Sequence, residues 1–183
     1  MRVLRAVFSR LHIYVLWLIV STVFWGWIFL WLTDTAPSGK VTVYIDAPCD
    51  DRALELALEE TLPAGIRMIK VHPFSYAMFD DGDLERADLY LVPESRASNY
   101  ISSYLPLPDA LADSGVPVWR HGGQAYGLAA GGALMEHIRP EDPDEAVFLF
   151  FGARSPHAAS LTGAGDDAAL AVAGRFTGVP GTS

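Results

Sequence analysis

Val41–Ala47 reads VTVYIDA, Ile66–His72 reads IRMIKVH and Ala87–Val92 reads ADLYLV. Each run is short and rich in β-branched, aliphatic or aromatic residues, the character of a β-strand. The near-continuous apolar run of the third suits a strand covered on both faces. Pro93 ends it, and Pro48 follows the first almost directly.

Between these runs the period changes from two to 3.6. Asp50 and Asp51 open a helix whose stripe is Leu54, Ala57, Leu58 and Thr61, the i, i+3, i+4, i+7 spacing of an amphipathic face. Carboxylates at its start complement the helix dipole. Pro63 and Gly65 stop it. Phe74–Phe79 and an Asp80–Asp83 turn lead to the third strand, after which Ala97, Tyr100, Ile101 and Tyr104 repeat the helical spacing up to Pro106. Alternation of this kind predicts adjacent parallel strands joined by right-handed crossovers.

Gln124–Ala130 (QAYGLAA) and Ala146–Phe151 (AVFLFF) predict two further strands, with breakers at Gly131–Gly132 and Pro140–Pro143 between them. Asp166 and Asp167 open a last helix with Ala169, Leu170, Ala173 and Phe176 on one face. The expectation is a three-layer α/β/α sandwich over residues 41–178, built on a mostly parallel sheet of about five strands.

The chain begins differently. Leu11–Leu32 is an uninterrupted apolar run containing Trp17, Trp25, Trp27 and Trp31, preceded by Arg2, Arg5 and Arg10 and followed by Asp34. About 20 apolar residues span a bilayer core as a helix, and arginines favour the cytoplasmic side. The run is longer and bulkier than the apolar core of a cleaved signal peptide. It therefore predicts a single-pass transmembrane helix over 11–32, a cytoplasmic N-terminus over 1–10, a stalk over 33–40, an extracytoplasmic domain over 41–178 and a loose tail over 179–183. The bilayer is then one expected partner.

All 22 acidic residues and ten of the 13 basic ones lie beyond Thr33, which leaves that part with a formal charge of about −12. Nucleic acid requires a basic face, so it is excluded as a partner. Cys49 is the only cysteine, which excludes an internal disulfide and any CxxC metal or redox motif.

The order of an anchor, a first strand, an acidic-started helix, a second strand and the segment ADLYLVPES at 87–95 resembles the N-terminal lobe of bacterial extracellular solute-binding proteins of the type 2 periplasmic class. Gly122–Leu128 (GGQAYGL) is similar to that family's "dGkvYGlP" strand, and Ser155–Ala173 to the segment leading into its return helix. The resemblance implies a binding or accessory module working with a membrane partner, such as a transporter permease or another envelope protein. The departures are plain. Family members are longer, close two lobes around a ligand, and are cleaved or lipid-anchored. Here only Gly131–Glu145 stands where a second lobe would be inserted.

In an open α/β sheet, ligands sit beyond the carboxyl ends of the strands. Asp46, then Ser75 and Tyr76, then Glu94, Ser95 and Arg96 fall there. Together with Trp119 they would suit a polar small molecule, while Asp46 and Ser95 also have the character of helix caps. Ser155, His157 and Asp166 or Asp167 supply nucleophile, base and acid types, but no Gly-x-Ser-x-Gly elbow exposes a serine. His72, His121, His137 and His157 lack metal-ligand spacing, and no phosphate- or dinucleotide-binding glycine pattern occurs. The expectation is a non-enzyme without cofactor or metal. The competing reading is an interaction or scaffold domain at the cell surface that binds no solute.

Overall fold

Valines and isoleucines in alternation give the domain its first strand, β1 (Lys40–Ile45), with Val41, Val43 and Ile45 fully buried. The computed structural model describes residues 11–33, 37–73 and 87–178. They fall into two units divided between Ala36 and Pro37.

The first unit holds helix α1 (Leu11–Thr33). Its side chains are described from Ile13 to Phe29, with large apolar groups such as Trp17, Trp25 and Trp27 exposed. Among the described residues no helix is long and apolar enough to cross a membrane. This corrects the expectation of a transmembrane helix over 11–32, and with it the single-pass placement. Residues 1–10, 34–36 of the expected stalk and 179–183 lie outside the described residues.

In the second unit, α2 (Asp51–Glu59) follows β1 and leads to β2 (Met68–Pro73). Asp50 caps α2 by accepting the Ala53 N–H at 3.0 Å, a role its position before an apolar stripe predicts. Then come β3 (Leu89–Pro93), the short helix α3 (Glu94–Ala97), and a 3-10 segment over Ser98–Ser103. After them lie α4 (Asp109–Ala112), β4 (Val118–His121), β5 (Gln124–Ala129), a 3-10 turn over Ala133–His137, β6 (Val147–Phe151), α5 (Ala159–Thr162) and α6 (Ala168–Thr177).

The sheet has six strands in the order β2-β1-β3-β6-β5-β4. As expected, β2, β1 and β3 are parallel neighbours. The pairs β3–β6, β6–β5 and β5–β4 are antiparallel, so the sheet is mixed and not mostly parallel. The sixth strand, β4, is joined to β5 by Gly122–Gly123, whose φ values of 57° and 87° suit a two-residue hairpin.

Each face of the sheet has its own core. On one, Leu54 and Leu58 of α2 and Ala169, Val172, Ala173 and Phe176 of α6 pack on Val43, Ile45, Ile69, Leu89, Leu91, Leu149 and Phe151. On the other, Ala97, Tyr100 and Tyr104 cover Tyr44, Tyr90, Val92, Phe148 and Phe150. This second face carries an aromatic row in strand register: His72, Tyr44, Tyr90, Phe150, Gly127 and Trp119 are successive partners across all six strands. Gly127 is the gap in the row. A Cβ there would stand 2.6 Å from Phe150 Cε1, so the glycine lets the Phe150 ring lie across the neighbouring strand, edge-on to Trp119 at 5.5 Å and 80°.

Arg175 of α6 ties the helices on the first face together. Its guanidinium donates to the carbonyls of Leu58 and Ala57, both at 2.7 Å, and so satisfies the end of α2. The edge of β2 is guarded in a similar way by Glu55, whose carboxylate accepts the Val71 N–H at 3.0 Å.

Candidate functional site

β1 connects through α2 to β2 on one side, while β3 lies on its other side. The strand order therefore reverses between β1 and β3, and a parallel sheet opens a crevice at the carboxyl ends of such a pair. Asp46 follows β1 and Arg96 lies in α3 just beyond β3. The structure bridges the crevice with these two residues. Arg96 Nη1 meets Asp46 Oδ1 at 3.0 Å, and the other end of the guanidinium, Nη2, meets Glu141 Oε2 at 2.9 Å.

The two carboxylates sit in different surroundings. The Asp46 side chain is 7% exposed and that of Glu141 73%, with Arg96 between them at 33%. Burial raises the Asp46 pKa above the ordinary carboxylate value, against the lowering pull of Arg96 and of the Tyr100 hydroxyl, which donates to Oδ2 at 3.4 Å. The Glu141 and Asp46 contacts hold Arg96 firmly protonated. An exposed ion pair such as Arg96–Glu141 is worth only about 0–1 kcal/mol, so the arginine is fixed from the buried side and loosely held from the solvent side.

Below the bridge lies a tyrosine cluster. Tyr104 stacks on Phe150 with ring centroids 4.0 Å apart and 11° from parallel, and meets Tyr90 edge-on at 5.5 Å. Burial, then the neighbouring Tyr100, Tyr90 and Asp46, raise the Tyr104 pKa strongly. Its hydroxyl is the buried side-chain polar atom without a hydrogen-bond partner among the described residues.

Beyond Asp46 the chain runs alongside the segment that carries Glu141. Arg139 N–H donates to the Pro48 carbonyl at 2.8 Å, Cys49 pairs with Ile138, and Asp50 N–H donates to the His137 carbonyl at 3.0 Å. This short antiparallel ribbon borders a cleft of about 430 Å³ lined by Pro48, Cys49, Asp50, Asp51, Glu136, His137 and Arg139. Burial first, then Asp51 and Asp50, raise the Cys49 pKa, the opposite of what a thiolate nucleophile needs.

The sequence-derived site residues separate into four groups. Asp46 and Arg96 are joined, as the strand-end rule predicts. Glu94 and Ser95 lie beside them with other tasks: the Glu94 N–H donates to the Ala146 carbonyl at 3.0 Å, and the Ser95 N–H to Glu145 Oε1 at 2.8 Å. Contacts from the Ser95 side chain and N–H lower the Glu145 pKa. Trp119 stands on edge strand β4, four places from β1 in the sheet order, and packs on Phe150, Tyr126 and His121. Ser75 and Tyr76 lie outside the described residues. Sequence reasoning missed Tyr100 as a partner of Asp46, Glu141 as a partner of Arg96, and His137 and Arg139 as lining of the neighbouring cleft. His137 and Arg139 carry the polar spacing of a half-exposed strand, which is a weak signal by itself.

The catalytic-type residues meet at the opposite end of the sheet. Ser155 Oγ donates to Asp88 Oδ1 at 2.6 Å and accepts the His157 N–H at 3.0 Å, while His157 Nδ1 meets Asp166 Oδ1 at 2.8 Å. Asp88 also accepts the Thr42 N–H at 2.8 Å. Ser155, His157 and Asp88 are all buried. The serine hydroxyl is spent on a carboxylate, so the cluster pins the 155–167 loop to the start of β3. Among the described residues no group of three or more His, Cys, Asp or Glu side chains could hold a metal ion.

No family model and no curated protein matches the chain. Among solved structures, it is similar to a cyclo/maltodextrin-binding protein complexed with maltotetraose, with 18% identity and a TM-score of 0.35, over 54% of this chain and 29% of that one. It is also similar to thiaminase I from Bacillus thiaminolyticus, with 17% identity and a TM-score of 0.33, over 50% of this chain and 28% of that one. The chain thus spans less than a third of either structure, a likeness too partial to assign a family or an activity.

Proposed function

We propose that the domain beginning at Pro37 is a non-catalytic binding module that takes a small polar solute at the carboxyl end of β1. The observation that carries this reading is the polar cleft beside the Asp46–Arg96–Glu141 bridge. It sits where an open α/β sheet presents ligands, and its volume of about 430 Å³ falls in the range of small-molecule sites. Asp50, Asp51, Glu136, His137 and Arg139 offer hydrogen-bond donors and acceptors of both signs. The raised Cys49 pKa and the engaged Ser155 hydroxyl speak against covalent catalysis.

The cleft is open, so a lone solute binds weakly, on the order of 1 mM and about −4.1 kcal/mol. A partner protein closing over the ribbon would supply a second wall and tighter binding. A thermal-shift screen of the full chain against sugars, amino acids, polyamines and organic acids tests the reading. A solute at 100 times its Kd adds about 2.7 kcal/mol of stability, and its effect disappears in His137→Ala. The absence of any stabilising solute overturns the proposal in favour of a scaffold domain that binds none.

A further inference from the structure

We infer that Arg96 is the anchor for a carboxylate group on the ligand, and that Glu141 is an internal competitor occupying that anchor in the unliganded chain. The inference rests on the solute-binding reading above and deepens it. A guanidinium fork suits two parallel bonds to one carboxylate, yet here its ends are divided between two residues, Asp46 at 3.0 Å and Glu141 at 2.9 Å. The Asp46 contact is fixed by burial and by the Tyr100 hydroxyl. The Glu141 contact is not: its side chain is 73% exposed, and it stands between Pro140 and the Asp142–Pro143 turn.

Exchanging Glu141 for a ligand carboxylate keeps the charge around Arg96 constant, because one anion leaves as the other arrives. Arg139, two residues before Glu141 and lining the neighbouring cleft, places a second guanidinium along the same ribbon.

The probes are acetate and succinate, titrated into the full chain against sodium chloride at matched ionic strength, because exposed ion pairs are screened by salt. The readout is the Arg96 Nε–Hε resonance in 1H–15N spectra. The comparison is Glu141→Gln with Asp144→Asn, which removes the same charge from the same loop without touching Arg96. Acetate moves the Arg96 resonance in the native chain, and saturates it at about three- to fivefold lower concentration in Glu141→Gln, the scale of an exposed ion pair released. Asp144→Asn behaves like the native chain. An unmoved Arg96 resonance, or equal tightening in both variants, overturns the inference. If uncharged or cationic solutes stabilise the chain while carboxylates leave Arg96 unmoved, this inference fails and the binding reading stands. If no solute of any class stabilises the chain, the binding reading itself fails.

Discussion

Arg96 holds the buried Asp46 carboxylate at 3.0 Å across the crevice between β1 and β3, so the point where a doubly wound sheet opens for ligands is closed here by an ion pair. Removing one member of a fully buried pair costs about 3–5 kcal/mol. Arg96 is one-third exposed, so Arg96→Ala should cost less, about 2–3 kcal/mol, the scale of a hydrogen bond to a charged group. Asp46→Asn in the same background should restore part of the loss, because the stranded charge is then gone. Urea denaturation of the two variants measures both effects.

Leu89 and Leu91 have no exposed surface and face the helices α2 and α6. Truncation to alanine at either should destabilise by about 2–5 kcal/mol, the transfer loss plus the cavity left behind. A cost below 1 kcal/mol at Leu89, measured by denaturant unfolding, would contradict a β3 that is covered on both faces.

Gly127→Ala should destabilise by about 1–3 kcal/mol through overpacking, since the new Cβ would stand 2.6 Å from Phe150 Cε1. Phe150→Leu should cost stability alone but offset much of the Gly127→Ala penalty when combined with it. The coupling in a double-mutant cycle measures the contact. Simple additivity would show that the ring moves aside freely.

Arg175→Met keeps the apolar stem and removes both donors to the end of α2. The expected loss is about 2 kcal/mol, given about 1.5–3 kcal/mol for a charge-assisted bond and partial replacement by water. Hydrogen exchange should quicken in the last turn of α2, at Leu58 and Glu59, before it quickens in the sheet.

Burial raises the Asp88 pKa above 3.8, opposed by donation from Ser155 and Thr42 and by the nearby His157, and aided by Asp166. A carboxyl with a raised native pKa binds its proton more readily folded than unfolded. Its contribution to stability is complete below 3.8 and is lost as pH rises through the native value. Asp88→Asn should therefore flatten the stability profile of the native chain in that window. An unchanged slope of unfolding free energy as pH rises above 3.8 would show that Asp88 titrates normally.

Local chemistry made part of this protein legible from its sequence. β1, β2 and β3 announced themselves because each carries its own apolar pattern, and α2 because Asp50 and the Leu54–Leu58 stripe are neighbours in sequence. The strand-end rule then placed Asp46 and Arg96 in one region, since it needs only strand direction and order. The hairpin β4–β5 emerged only in the structure, because Val118–His121 is too short and too polar to declare a strand without its partner.

Tertiary structure decided the rest. The antiparallel insertion of β6 between β3 and β5 is a matter of which edges meet, and a run such as Val147–Phe151 packs equally well in either direction. Glu141 reaches Arg96, and Arg175 reaches the end of α2, across separations that no local pattern encodes. The apolar run at 11–32 does form a helix, α1 (Leu11–Thr33), yet among the described residues no helix is long and apolar enough to cross a membrane, since a span demands length and apolar character together. Pattern reports what each segment buries. Only the folded chain decides which charges meet, because that depends on distances in space between residues far apart in sequence.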